Sequence, residues 1–385
     1  MQKTLTWNHQ SGDRGDNHKR EGKRKMDYIL MHRNVETAYI RNKMRIEEVY
    51  KPDELPVGLD NPYHPSLHFP MWLSHRTIPN NRIFAEYLRK AVGYDFTDAM
   101  LRNMSVSITD TYWMKPINCD LTWEQVNYHD NLFSNDVSKA VISHTDNLMF
   151  DGLHPDFTTD GMLEKTWILM EDKPYLLKFD DTHNREQLVG EVYASRVANY
   201  LGISHVPYQA IRIHGRYASI CPCIITDSRT DMVHAMQYKW KYSCGSRELF
   251  NYLCDIDDEG ITKMVAFDAL THQIDRHEHN FAFANNRLLP LYDSGRCLSM
   301  LSDTRPFCID RMKQLQLLSK IPFHIPNISL LQGIYEEVCD QYQVTPKQEA
   351  KAAIMQGITE LHILEQQLEA GKGNENDTSD TYERE

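Results

Sequence analysis

The sequence predicts a two-lobed α+β fold, with a β-rich lobe ahead of a mainly helical one and a small α+β domain before both. Three observations predict it. Between residues 165 and 226, short β-branched and aromatic runs alternate around a single helical stretch. From residue 259 to about residue 370, apolar residues recur mainly at helical spacing. The 385 residues, 41% of them hydrophobic, suffice for two domains or for one large domain with an attached lobe.

Taken in order, residues 1–25 are polar, basic and nearly free of apolar side chains, which predicts a disordered N-terminus. An accessory domain is expected over 26–145. "DYILMHRNVETAYI" (27–40) reads as strand, turn, strand. "NRIFAEYLRKAVGY" (81–94) carries Phe84, Tyr87, Leu88, Ala91 and Val92 at helical spacing. "SVSITDTYWMKP" (105–116) reads as a strand ending at Pro116, and "LTWEQVNYHDNLFS" (121–134) as a short helix and loop. The Ser, Asn, Asp, Gly, His and Pro of 135–157 mark a domain boundary.

A second domain is expected over 150–370. "KTWILMEDKPYLLKFD" (165–180) predicts two strands about a Glu-Asp-Lys-Pro turn. "NREQLVGEVYASRVANYLG" (184–202) predicts a helix with Asn184 and Gln187 as a capping box and Gly202 just past its end. "VPYQAIRIHGRYASICPCIIT" (206–226) predicts a hairpin turning near His214-Gly215, and "EGITKMVAFDALTHQ" (259–273) a further helix. The charged stretch 371–385 predicts a disordered acidic tail.

A net charge of −12 argues against sequence-independent nucleic-acid binding or an anionic-membrane role. No run of about 18 apolar residues suggests a membrane span. The N-terminus lacks an apolar signal core, so a cytoplasmic chain with eight reduced cysteines is expected. Cys221-Pro222-Cys223 has the wrong spacing for a zinc knuckle.

The densest chemistry lies in "QIDRHEHNFAFANNRLLPLYDSG" (273–295). Phosphoryl transfer from ATP needs a carboxylate to orient and accept the acceptor's proton, and oxygen ligands to hold magnesium against the phosphates. Asp275 suits the first role; Asn280 and Asp293 suit the second. The Asp-x4-Asn spacing is that of protein-kinase catalytic loops. Lys178 stands inside the apolar "YLLKFD", where a lysine is costly unless paired. Glu191, on the following helix, is its natural partner. Thr158, Thr159, Asp160 and Gly161 form a tight turn whose backbone N–H groups and hydroxyls suit phosphates. "SICPCIIT", with Cys223 and Ile224, stands where the strand into an adenine-binding hinge belongs.

In this motif order the sequence resembles the HipA-like serine/threonine kinase family. The resemblance covers roughly 150–300. The order Asp275-Arg276-His277 departs from the His-Arg-Asp of ordinary protein kinases and is shared with phosphoinositide kinases. The resemblance implies a protein-kinase-like fold and γ-phosphoryl transfer from ATP, with magnesium, to serine or threonine of a protein. It makes Asp275 the catalytic base, Asn280 and Asp293 magnesium ligands, Lys178 the phosphate-contacting lysine and Glu191 its partner. It places His277 where it supports the loop or the transferred phosphoryl. Several members are toxins paired with a DNA-binding antitoxin, which implies a partner of that kind; autophosphorylation is a further expectation.

Other readings compete. A lipid kinase, a non-catalytic nucleotide-binding scaffold and an adenylyl-transferring enzyme share parts of the motif. His272, His277 and His279 with a carboxylate suggest a zinc or iron site instead. Taken singly, Lys178 reads as a snorkelling strand lysine and Glu191 as a solvated helix residue. His183 and Arg185 read as loop residues rather than phosphate contacts. Trp113, Trp123 and Tyr112 read as core rather than as a ligand platform.

Overall fold

The computed structural model describes residues 27–42, 45–61, 67–93, 95–145, 152–299 and 325–379. The expected disordered stretch 1–25 and the end of the expected tail, 380–385, lie outside them. The chain divides into two compact units: Met1–Tyr175 with Ile225–Asp231, and Leu176–Ile224 with Met232–Glu385.

The first unit opens on β1 (Tyr28–His32), β2 (Val35–Arg41) and β3 (Arg45–Val49), the first two forming the expected strand-turn-strand. With β4 (Tyr112–Pro116) they make an antiparallel sheet of order β3-β2-β1-β4. Leu30 pairs with Ala38 and Met114, all buried, so one face of the sheet is core. A bulge follows Leu30, and the buried Thr37 hydroxyl donates to its carbonyl at 2.8 Å.

The strand expected over 105–116 forms only at its end. Residues 105–111 fold instead around the buried guanidinium of Arg76, which donates to Ser105 O at 2.6 Å and Tyr112 O at 2.7 Å and pairs with Asp110. Helices α1 (Phe69–Ser74), α2 (Ala85–Val92) and α3 (Phe96–Arg102) precede it. Phe84 is not on the α2 stripe: it sits before the helix at φ 61° and is half-exposed. Trp123 and Trp113 are buried, as core.

The short helix and loop expected over 121–134 form: α4 (Trp123–Val126) ends where the Asn127 side chain accepts from His129 N and Asp130 N and turns the chain. The expected boundary at 135–157 is ordered in part as α5 (Asp136–Ser143). Its Val137 and Val141 pack with Ile78, Ala85, Leu88, Phe96, Ala99 and Phe157. The polar residues there begin a helix rather than open a linker: Ser134 Oγ accepts from Asp136 N. Strand β5 (Lys165–Met170) is anchored by buried Asp156, which accepts from Trp167 N at 2.8 Å and Thr166 Oγ1 at 2.6 Å. The compact unit therefore runs past the expected boundary to Tyr175.

The second unit takes up the chain inside β6 (Lys173–Phe179) and continues with α6 (Glu186–Tyr200), β7 (Gln209–Ile213) and β8 (Arg216–Pro222). The strand order is β6-β8-β7. The hairpin turns where expected, with His214 and Gly215 both left-handed at φ 48° and 82°. Gly202 ends α6 at φ 64°, also as expected. The Asn184–Gln187 capping box does not form. Arg185 occupies the cap at φ 49° without a side-chain bond, and Asp180 Oδ2 accepts from Gln187 N instead.

Helix α7 (Ala235–Tyr242) follows β9 (Val233–His234). Helix α8 (Ser246–Thr271) starts earlier than the sequence pattern suggests and breaks at Asp257 (φ −153°), whose carboxylate accepts from Gly260 N and Leu288 N. Strands β10 (Ala282–Ala284) and β11 (Arg287–Leu288) complete a small sheet with β9. Helix α9 (Ile328–Gln341) packs on α6, and α10 (Gln348–Ser379) on α8. A Cβ at Gly357 would lie 2.3 Å from Leu270 O, so only glycine allows that approach. Helix α10 continues into the expected tail, to Ser379.

Within the first unit, His32 Nδ1 lies 2.6 Å from Glu54 and its Nε2 3.2 Å from Asp231, which also accepts from Thr111 N and Oγ1 at 2.7 Å each. Burial alone lowers the His32 pKa, but Asp231 and Glu54 outweigh it and hold it above its ordinary value. A raised folded pKa stabilises fully below the unfolded value of about 6.5, and that stability is lost as pH rises through the folded value. The thermal midpoint should therefore fall as pH rises above about 6.5, with a shallower slope in His32→Gln. Equal slopes in the two proteins would exclude this linkage.

Candidate active site

The second unit gathers a lysine, two carboxylates and an arginine-bound loop. Lys178 points from β6 into the interior, where it is almost fully buried. Its Nζ pairs with Glu191 Oε1 from α6 and lies 2.9 Å from Asp293 Oδ1. Tyr208 lies beneath it, with the ring centroid at 5.3 Å. Burial pushes the Lys178 ammonium down, but Asp293 and Glu191 prevail and hold its pKa well above the ordinary value, so it stays charged. Burial raises Glu191 against the pull of Lys178. Ser219 Oγ from β8 donates to its second oxygen at 2.5 Å, so both carboxylate oxygens are satisfied. Cys221, next to this group, is pushed up to about 12 by burial and is an inert thiol.

Asp293 adopts φ 54°, a left-handed conformation that aspartate tolerates better than most residues. Its N–H donates to Tyr208 OH, and its side chain stays 39% exposed. The turn after it presses on α6. A Cβ at Gly190 would lie 2.5 Å from Gly295 O, and one at Gly295 3.1 Å from Gln187 O. Two glycines thus let the Asp293 turn dock beside Glu191.

The loop from 275 to 280 is held from within by Arg276. It and Asp268 are fully buried, with Arg276 Nε 3.0 Å from Asp268 Oδ2 and Nη2 3.1 Å from Oδ1. The same guanidinium donates to Asn280 O at 2.8 Å, Tyr292 O at 2.6 Å and Ser294 Oγ at 3.1 Å. One side chain therefore ties the Asp275–Asn280 loop to the Asp293 turn. Asn280 Nδ2 donates to Asp275 O at 2.7 Å, which leaves its amide oxygen as the acceptor end. Gln273 links the segments again, donating to Asp293 O and accepting from Asp275 N. The Asp275 carboxylate is half-exposed, with His277 Nε2 at 4.0 Å and Arg296 Nη1 at 3.8 Å.

An amide oxygen on Asn280 and a carboxylate on Asp293 are hard donors, which suit magnesium better than zinc. Among the described residues, no three His, Cys, Asp or Glu side chains gather as a metal site. His272 is buried, with Nδ1 3.0 Å from Ser299 O, while His277 is half-exposed.

The other expected site residues are placed differently. Thr158, Thr159, Asp160 and Gly161 belong to the first unit. The Thr158 hydroxyl donates to Val106 O and Pro155 O, and that of Thr159 to Pro155 O, so both bind their own fold rather than present themselves to phosphates. Gly161 is left-handed at φ 105°, and Asp160 pairs with His75. Cys223 is buried and Ile224 half-buried, both directly after β8.

No protein-family model matches the chain, and no curated protein does. Solved structures do. The Shewanella oneidensis MR-1 toxin–antitoxin protein HipA, determined with HipB and operator DNA, has 14% identity and a TM-score of 0.47 over 88% of this chain and 96% of that one. The Helicobacter pylori proinflammatory kinase CtkA has 13% identity and a TM-score of 0.34 over 51% and 86%. A thermostable aminoglycoside phosphotransferase APH(4)-Ia has 10% identity and a TM-score of 0.22 over 55% and 85%. The fold is α+β. Its order of lysine strand, glutamate helix, hairpin, long helices, Asp-x4-Asn loop and aspartate turn is in the chain itself.

Sequence reasoning passed over Arg276, Asp268, Ser219, Gln273 and the two glycines. Gly190 did carry a signal: glycine within a helix costs about 1 kcal/mol and asks for a packing reason. Arg276→Leu strands the Asp268 carboxylate and should cost about 3–5 kcal/mol in chemical denaturation. Adding Asp268→Leu should recover much of that stability. Turnover should stay lost, because the bonds to Asn280 O and Tyr292 O go with the guanidinium. Recovered turnover in the double variant would contradict the role given to those bonds.

Proposed function

We propose that the protein is a magnesium- and ATP-dependent kinase that transfers the γ-phosphoryl group to a serine or threonine hydroxyl of a protein. The observation that carries this reading is Lys178, buried and charged between Glu191 and Asp293. A buried cation with two carboxylates suits a phosphate-binding lysine held extended by a helix glutamate. The Asp275–Asn280 loop, tied to the Asp293 turn through Arg276, supports it further.

In this reading Lys178 binds the α- and β-phosphates, and Glu191 keeps it extended. Asn280 and Asp293 supply oxygen ligands for magnesium, which when bound neutralises charge building on the phosphates. Asp275 orients the acceptor hydroxyl. The acceptor oxygen bonds to the γ-phosphorus, the bond to the bridging oxygen breaks with its electron pair leaving on ADP, and the acceptor proton passes to Asp275. Ile224 and Cys223, after β8, are where an adenine would meet backbone.

The test is incubation with magnesium and ATP labelled at the γ or the α position, alone and with lysate proteins or lipid vesicles. Label from the γ position on protein is expected. It should fall at least about 100-fold in Asp275→Ala, with nucleotide binding largely kept. Asp293→Ala should lose both label and magnesium-dependent ATP binding. Label from the α position would mean nucleotide transfer, and label on vesicles alone a lipid kinase. Full activity in both variants would overturn the mechanism.

A further inference from the structure

Two side chains flank the Asp275 carboxylate without bonding it closely. Arg296 Nη1 is 3.8 Å and His277 Nε2 4.0 Å from the same oxygen. Both are about half exposed, 53% and 49%. Arg296 does not stray there on a loose loop. Ile274 N donates to Arg296 O, Leu298 N to Thr271 O and Ser299 N to His272 O, so residues 296–299 run along 271–274. On one side of Arg296, Gly295 is pressed on α6; on the other, buried Cys297 donates to Gly190 O. The backbone fixes where the guanidinium begins, and its end is left in solvent beside the carboxylate.

Nearby charges are already committed. Asp268 is held by Arg276, Lys178 by Glu191 and Asp293, and Glu278 by Lys239 at 2.8 Å. Arg296 is charged at any working pH and offers a planar fork of donors suited to carboxylates. We propose that Arg296, aided by His277, selects acceptors whose reacting hydroxyl has an acidic residue close by in the chain. This rests on the kinase reading and names the substrate class of the same site. The chain's net charge of −12 does not oppose it strongly, because charges beyond about 8 Å are screened at physiological salt while the local guanidinium is met directly.

The test is a library of serine- and threonine-centred peptides, each with Glu, Lys or Ala fixed at one flanking position, with γ-labelled ATP and magnesium. Wild type should label the Glu sets about tenfold more than the Lys sets at one or more positions, the size of one charge-assisted contact. Arg296→Glu should invert that ratio, and Arg296→Gln should flatten it. A merely structural role would lower all sets together and leave the ratio unchanged. Uniform labelling by wild type, or an acidic preference that survives Arg296→Glu, overturns the inference and leaves the kinase reading intact. No labelled peptide also overturns it; γ-label on whole proteins in the same incubation then shows whether the kinase reading stands.

Discussion

The site depends on one buried ion pair. Arg276 and Asp268 are fully enclosed, where separating charges from water is expensive and only good geometry with further bonds offsets it. Here the further bonds go to Asn280 O, Tyr292 O and Ser294 Oγ. The pair is weak evidence for stability but strong evidence for specification. The guanidinium spends its donors on Asp268, Asn280 O, Tyr292 O and Ser294 Oγ, which ties the loop carrying Asp275 to the turn carrying Asp293. The motif order Asp-Arg-His thus has a local reason: Arg276, next to Asp275, points inward while Asp275 points out.

Lys178 poses the opposite problem. A buried ammonium with one carboxylate would be near neutral as a pair; with two it sits in an anionic setting that keeps it protonated. Ser219 and Tyr208 take up the remaining bonding and packing around it. Because Gly190 and Gly295 let the Asp293 turn touch α6, Glu191 and Asp293 are held side by side. The lysine is then the joint between strand and helix, and its position reports on both.

Much of this was legible in the sequence, for identifiable reasons. Strands β1 and β2 are rich in β-branched and aromatic residues, the His214-Gly215 turn has residues that accept left-handed backbone, and Gly202 is a helix terminator. Lys178, Glu191, Asp275, Asn280 and Asp293 stood out as charged or amide side chains at spacings that resemble those of kinase motifs. What was not legible is long-range bonding. Nothing local says that Asp180 rather than Asn184 serves Gln187 N, or that Thr158 turns its hydroxyl to Val106 O. The stretch 135–157 reads as a domain boundary because helix caps and boundaries use the same residues; burial of Val137 and Val141 separates them. Asp268 on α8 looked like any helix carboxylate until Arg276 met it.

A shared device underlies the irregular segments of both units. Buried backbone outside helices and sheets leaves carbonyls that must find donors. Three buried arginines supply them: Arg76 to Ser105 O and Tyr112 O, Arg82 to Thr159 O and Gly161 O, and Arg276 to Asn280 O and Tyr292 O. Arginine can do this because its donors lie in a fixed plane and reach two carbonyls at once; lysine, a point charge on a flexible stem, cannot hold two segments in register. The three differ in charge balance. Arg76 and Arg276 have Asp110 and Asp268 in contact. Arg82 is bound to carbonyls alone, and burial pushes its pKa down to about 10 against the pull of Asp156 and Asp160. Arg82 therefore holds the turn carrying Thr158–Gly161 through carbonyl dipoles, beside the Asp160–His75 pair. The turn carrying Asp293 has both the ion pair and the glycine contact.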